Sequence, residues 1–143
     1  TSLYRHEIAY VLGQMRDSSA LPTLVAVLRD TSDDVVVRHE CGEALGAIGN
    51  TEAIAVLEEF MTDDSPEVRE TCELALDLLK WSQTKDGEAV DANPFDSVDP
   101  APAEATSKTV DELRTQLLDA DVPLFARYRA MFSLRNRGTP DCV

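Results

Sequence analysis

The chain has 143 residues, a net charge of −14 and only 6% aromatic residues. That length carries one ordinary domain, or one small domain and a tail, and its aliphatic- and alanine-rich composition favours an all-α protein. So acidic a surface opposes nucleic acid and anionic membranes, and there is no run of about 18 apolar residues to cross a bilayer.

Helical periodicity runs through the first 81 residues. The spacing predicts a helix over 3–15, with Tyr4, Ile8, Val11, Leu12 and Met15 on its apolar face. Ser18 and Ser19 are the expected caps of a second helix over 20–29, bearing Leu21, Leu24, Val25 and Leu28. Asp30-Thr31-Ser32-Asp33-Asp34 supplies acceptors for a third helix over 35–48, which ends at Gly49-Asn50. A fourth is expected over 52–61, and Pro66 stands in the first turn of a fifth over 66–81. Residues 82–108 hold Pro94, Pro100 and Pro102, six acids and no helical period, so they read as an acidic, disordered linker. Thr109-Val110-Asp111-Glu112 is a capping box that leads a helix to about 119. Asp121-Val122-Pro123 opens another, with Leu124, Phe125, Tyr128, Met131, Phe132 and Leu134 apolar.

The pattern repeats. Leu3-Tyr4-Arg5-His6-Glu7, continuing to Leu12-Gly13, recurs 33 residues later as Val36-Val37-Arg38-His39-Glu40, continuing to Leu45-Gly46. A third copy, Val68-Arg69-Glu70-Thr71-Cys72, keeps the framework and loses the His-Glu pair. Ala126-Arg127-Tyr128-Arg129 aligns with Val37-Arg38-His39-Glu40 at an offset of 89 and opens a new block. Helix pairs of this period indicate an α-solenoid of HEAT-like helix-pair repeats. The expected organisation is a repeat block over 1–81, a linker over 82–108 and the first, truncated helix pair of a second block over 109–143.

Charge follows the same division. Residues 1–81 hold 16 acids against 6 bases, and 109–143 balance at 5 and 5. The first block would suit a basic, lysine-bearing partner; plain solubility accounts for the charge equally well. Cys41, Cys72 and Cys142 offer no paired framework, which fits a reducing, cytoplasmic setting. Cys41 and Cys72 occupy equivalent positions on an apolar face and read as small buried hydrophobes. No signal peptide is evident, and the chain enters at Thr1 directly on a repeat, as a fragment would.

His6 and His39 are the only two histidines, and each precedes a glutamate at the same repeat position. A lone histidine near a helix start, followed by an acid in the first turn, needs no function. The in-register duplication changes the balance, because histidine is a poor helix former that solenoid packing does not require. Stacking sets equivalent positions side by side, so His6, Glu7, His39 and Glu40 should converge on one surface as a nitrogen and oxygen site for iron, manganese or zinc. Adjacent His and Glu point about 100° apart around a helix, so one helix can serve two neighbouring ions. The spacing is neither His-Glu-x-x-His nor Glu-x-x-His.

The stretches Leu3 to Met15, Val37 to Gly49 and Leu124 to Asn136 resemble the ligand repeats and the second-half opening of the deoxyhypusine hydroxylase family. That resemblance covers the chain outside its linker. It implies two HEAT-like halves with four His-Glu pairs around a non-haem di-iron centre. It implies a monooxygenase that uses molecular oxygen to hydroxylate the deoxyhypusine side chain of translation initiation factor 5A, completing hypusine. It assigns His6 and His39 as iron ligands, Glu7 to the neighbouring iron and Glu40 to orienting the amine-bearing substrate or a water. Two His-Glu pairs are expected beyond Asn136, so the fragment alone would be inactive. The competing reading is a non-catalytic HEAT-repeat scaffold for a basic protein; a third is a simple mononuclear metal-binding repeat protein.

Overall fold

The structure, a computed structural model, describes residues 1–84, 92–104 and 107–142. Every regular element among the described residues is helical, and none is long and apolar enough to cross a membrane. The chain divides into two compact units, Thr1–Gln83 and Thr84–Val143.

The first unit carries α1 (Ser2–Met15), α2 (Leu21–Arg29), α3 (Val35–Ile48), α4 (Ile54–Glu59) and α5 (Pro66–Thr84). Short caps fix their ends. Asp34 accepts the Val36 amide at the start of α3, and Gly49 closes it in the left-handed region at φ 78°. Asp17, rather than the expected serines, caps the turn before α2 by accepting from the Ser19 amide. A carboxylate one residue upstream is the better acceptor there. The fourth helix is shorter than its pattern because Thr51–Ala53 and Phe60–Thr62 tighten into 3-10 turns.

The core runs between the layers, with Leu24, Leu28, Val37, Leu45, Leu57, Val68 and Leu79 sealed from solvent. Two glycines set the layer spacing. A Cβ on Gly13 would stand 2.8 Å from the Ala44 Cα, and one on Gly46 would stand 2.8 Å from the Ala75 Cβ and 2.9 Å from its Cα. So α1 packs on α3, and α3 on α5, through the same glycine-to-alanine contact one repeat apart. An arginine ladder ties the layers. Arg5 pairs with Asp33, and the buried Arg38 pairs with Asp63 at 2.5 Å while its Nε donates to the Leu28 carbonyl at 3.0 Å. The Arg38 hydrogen bond holds Asp63 below the usual carboxylate range.

One sequence expectation is overturned on α1. Tyr4, Ile8, Val11 and Met15 are exposed, and the helix turns Ala9 and Gly13 inward. The periodicity marked an apolar stripe correctly but not its direction. Small residues make the close contact with α3, Leu12 packs partly on the core, and the other large ones face out.

The second unit carries α6 (Val110–Leu118) and α7 (Leu124–Arg137). The capping box forms: Thr109 accepts from the Glu112 amide at 3.2 Å, and the Glu112 carboxylate accepts from the Thr109 amide at 2.7 Å. Arg127 Nε donates to the Leu117 carbonyl at 3.0 Å, reproducing the Arg38 bond to Leu28 with both partners shifted by the aligned 89 residues. This is a geometric signature of the same repeat. Of the stretch read as a disordered linker, residues 92–104 take a packed course, with Ala101 and Ala103 buried against Phe132. The prolines and acids that lower mean hydropathy leave an alternating pair of alanines small enough to sit flat on a helix. Positions 85–91 and 105–106 of that stretch lie outside the described residues.

Gly46→Ala tests the spacing rule. Alanine favours a helix over glycine by about 1 kcal/mol. The new methyl group would meet backbone, which cannot swing aside, and overpacking costs about 1–3 kcal/mol. The expected outcome is net destabilisation in denaturant-induced unfolding, opposite in sign to helix propensity.

Candidate metal centre

His6 and Glu7 lie in the second turn of α1, and His39 and Glu40 at the matching level of α3. The Gly13 contact draws these helices together, and the two imidazole rings stand 5.5 Å apart between centroids, tilted by 48°. Glu40 closes the group: its Oε2 is 3.0 Å from His6 Nε2, and the residue is only 4% exposed. One ligand atom from each of His6, His39 and Glu40 lies within 4.8 Å of the others, a group that could hold a metal ion.

Glu7 sits apart. Its carboxylate contacts His6 Nδ1 at 3.2 Å and is 59% exposed. A proton on Nδ1, donated to Glu7, leaves the Nε2 lone pair facing Glu40. Carboxylates orient metal-binding histidines in this way. Of the four residues singled out by sequence, three converge and the fourth supports one of them from outside. The framework copies behave differently. Glu70 and Thr71 on α5 join no such group among the described residues. In the second unit Arg129, at the position matching Glu40, donates from Nε to the Pro102 carbonyl at 3.1 Å.

Burial pushes the Glu40 carboxyl up to about 7, and the charges of Glu43 and Glu7 add to the shift while His6 opposes it. Burial likewise lowers His39, helped by His6 and opposed by Glu67. A cation among these groups would offset the charge of the buried carboxylate, and a neutral imidazole is the form that ligates a metal. Two nitrogens and one oxygen suit a transition metal such as iron, manganese or zinc. The sequence reading did not single out Glu43 or Glu67. Glu43 was detectable, one turn beyond His39 and Glu40 on α3; Glu67 belongs to the next layer, and only the stacking brings it near. Cys41 and Cys72 are buried and free, each thiol pushed up to about 12 by burial.

The model for HEAT repeats matches residues 2–77, and the chain belongs to the HEAT-repeat family. Its likeness within that family is specific. It is 57% identical to deoxyhypusine hydroxylase of Danio rerio, over 100% of this chain and 48% of that protein. It is 56% identical to the deoxyhypusine hydroxylase of Mus musculus, over 96% of this chain and 45% of that protein. The structure of human deoxyhypusine hydroxylase in complex with glycerol superposes with a TM-score of 0.93 at 51% identity, over 99% of this chain and 49% of the human one. The chain is thus a homologue of deoxyhypusine hydroxylase, and it spans about half the length of the curated relatives it matches.

The Glu40 shift carries a signed prediction for the metal-free protein. A carboxyl raised in the fold favours folding below its ordinary value of 4.5 and loses that contribution as pH rises through about 7. Glu40→Gln removes the titration. In urea unfolding across that window, the substituted chain should gain stability relative to the parent as pH rises.

Proposed function

We propose that this chain supplies one half of a deoxyhypusine hydroxylase, an oxygen-dependent, cytoplasmic monooxygenase acting on the deoxyhypusine side chain of translation initiation factor 5A. The observation that carries the reading is the His6, His39 and Glu40 cluster, built from two in-register repeats of a chain whose relatives are named for this activity. The metal is iron, which a nitrogen and oxygen donor set suits and which supplies the oxygen chemistry when bound.

The chain's own residues divide the work. His6 Nε2, His39 and Glu40 would hold the ion. Glu7 fixes the His6 ring, and its exposed carboxylate is available to a second ion shared with the rest of the protein. The resemblance assigned Glu40 to the substrate amine or a water, while the residue pattern counted it among the metal ligands; its burial against His6 favours the metal. The excess of acids over bases in the first 81 residues favours a cationic, amine-bearing substrate and a basic protein around it. A bare scaffold would need the acidic surface but not the duplicated imidazoles.

The test exchanges this chain for the matching half of the Danio rerio protein and measures iron content and hydroxylation of the deoxyhypusine-bearing factor. An iron-loaded, active chimera supports the reading; an iron-free, inactive but folded one overturns it. In that chimera His39→Ala should lose bound iron and hydroxylation by tenfold or more. The metal-free fold should change by only about 1 kcal/mol or less, since α5 already carries Glu70 at this position. Retained iron and activity would remove His39 from the ligand set.

A further inference from the structure

We propose that residues 92–104 form a strap that takes, on α7, the seat α1 takes on α3, and that the Arg135 guanidinium is its latch. The offset of 89 that relates Arg127 to Arg38 also relates Ser133 to Ala44 and Arg129 to Glu40. Ala44 is where Gly13 brings α1 against α3. At the matching place on α7, Ser133 is fully buried and its Oγ accepts from the Glu104 amide at 2.7 Å. The same hydroxyl donates to the Arg129 carbonyl at 2.9 Å. Where Glu40 on α3 reaches His6 of the neighbouring helix, Arg129 on α7 reaches the Pro102 carbonyl. Both level markers of the α1 seat are therefore filled by one extended segment.

The latch lies two residues beyond Ser133 on α7. Arg135 stacks between the rings of Phe95, 4.8 Å from its centroid, and Phe132, 4.6 Å away. Its two terminal nitrogens meet both Asp99 oxygens, at 2.9 and 2.6 Å, and one also reaches the Asn93 Oδ1 at 3.2 Å. A bidentate fork between two rings needs arginine rather than lysine. The strap is also tied to itself: Asn93 Nδ2 donates to the Ser97 carbonyl at 2.7 Å and to Asp99 at 3.0 Å, which holds Asp99 in register for the fork.

This arrangement lets the α6–α7 pair stand without a helix in the α1 place, because the strap covers that face of α7. It also commits Tyr128 and Arg129, which stand at the metal-ligand positions of the first block, to structural use.

Hydrogen–deuterium exchange on the intact chain tests it. Amides of 92–104 should exchange slowly in the parent chain, and Arg135→Ala should accelerate them by tenfold or more while peptides of 1–83 stay unchanged. Arg135→Lys, which keeps the charge and loses the fork, should also release them. Asp99→Ala changes the strap without touching α7, so it keeps the test valid if Arg135→Ala fails to fold. Exchange of 92–104 at unstructured rates in the parent, or protection unaltered by Arg135→Ala and Asp99→Ala, overturns the proposal.

Discussion

Close contacts of a glycine with an alanine join the layers of the first unit, and the geometry of the site follows from them. Gly13 lets the backbone of α1 come within reach of the Ala44 Cα, and Gly46 does the same for α3 against Ala75. Large side chains on those faces would push the helices apart. The residues at the open ends of the same helices would then separate too, and His6 would lose its 3.0 Å contact with Glu40. The layer spacing is thus a packing property with a chemical result. It places donor atoms from two chain segments within the few ångströms that one ion spans.

The arginine ladder works with the glycines rather than beside them. Arg38 immediately precedes His39, and its guanidinium is fixed by Asp63, by the Leu28 carbonyl and by the Phe60 ring at 5.7 Å. Those contacts restrict how α3 can rotate about its axis, and so restrict where the next two side chains point. Arg5 and Asp33 do the same for α1. The charges of the ladder are matched within each pair. Glu40 alone in this region is buried without a permanent cation, and the cost appears as a carboxyl that prefers its proton up to about 7.

Much of this was legible in the sequence because repetition supplies its own control. The apolar period located the helices, α3 at Val35–Ile48 without error though α4 came out shorter and α2 took a different cap, and the loss of His-Glu from the third copy separated framework from site. What could not be read was whatever depends on neighbours across layers. The exposed face of α1 carries a sound amphipathic pattern, and no local rule tells which side α3 will take. The division between Glu7 and Glu40 hangs on which carboxylate the packing buries. The course of 92–104 escaped because composition is an average: prolines and acids signal an extended, solvated chain, while Ala101 and Ala103 pack on Phe132 and Phe95 meets a single arginine on α7.

The buried thiols have a further consequence. With Cys41 and Cys72 pushed up to about 12, the thiolate fraction at neutral pH is on the order of one in 10⁵, against a few per cent for an ordinary cysteine. Cys41 follows Glu40 directly, so the chain carries a sulfur next to its candidate metal centre in a form that alkylating agents and peroxides attack only slowly. Cys142, at the far end of the second unit, is only partly covered. The folded chain therefore offers one partly accessible thiol and two sealed ones. Each covered sulfur becomes a clock for the opening of the layer that hides it, with Cys41 timing the seam beside the histidines and Cys72 the seam behind them.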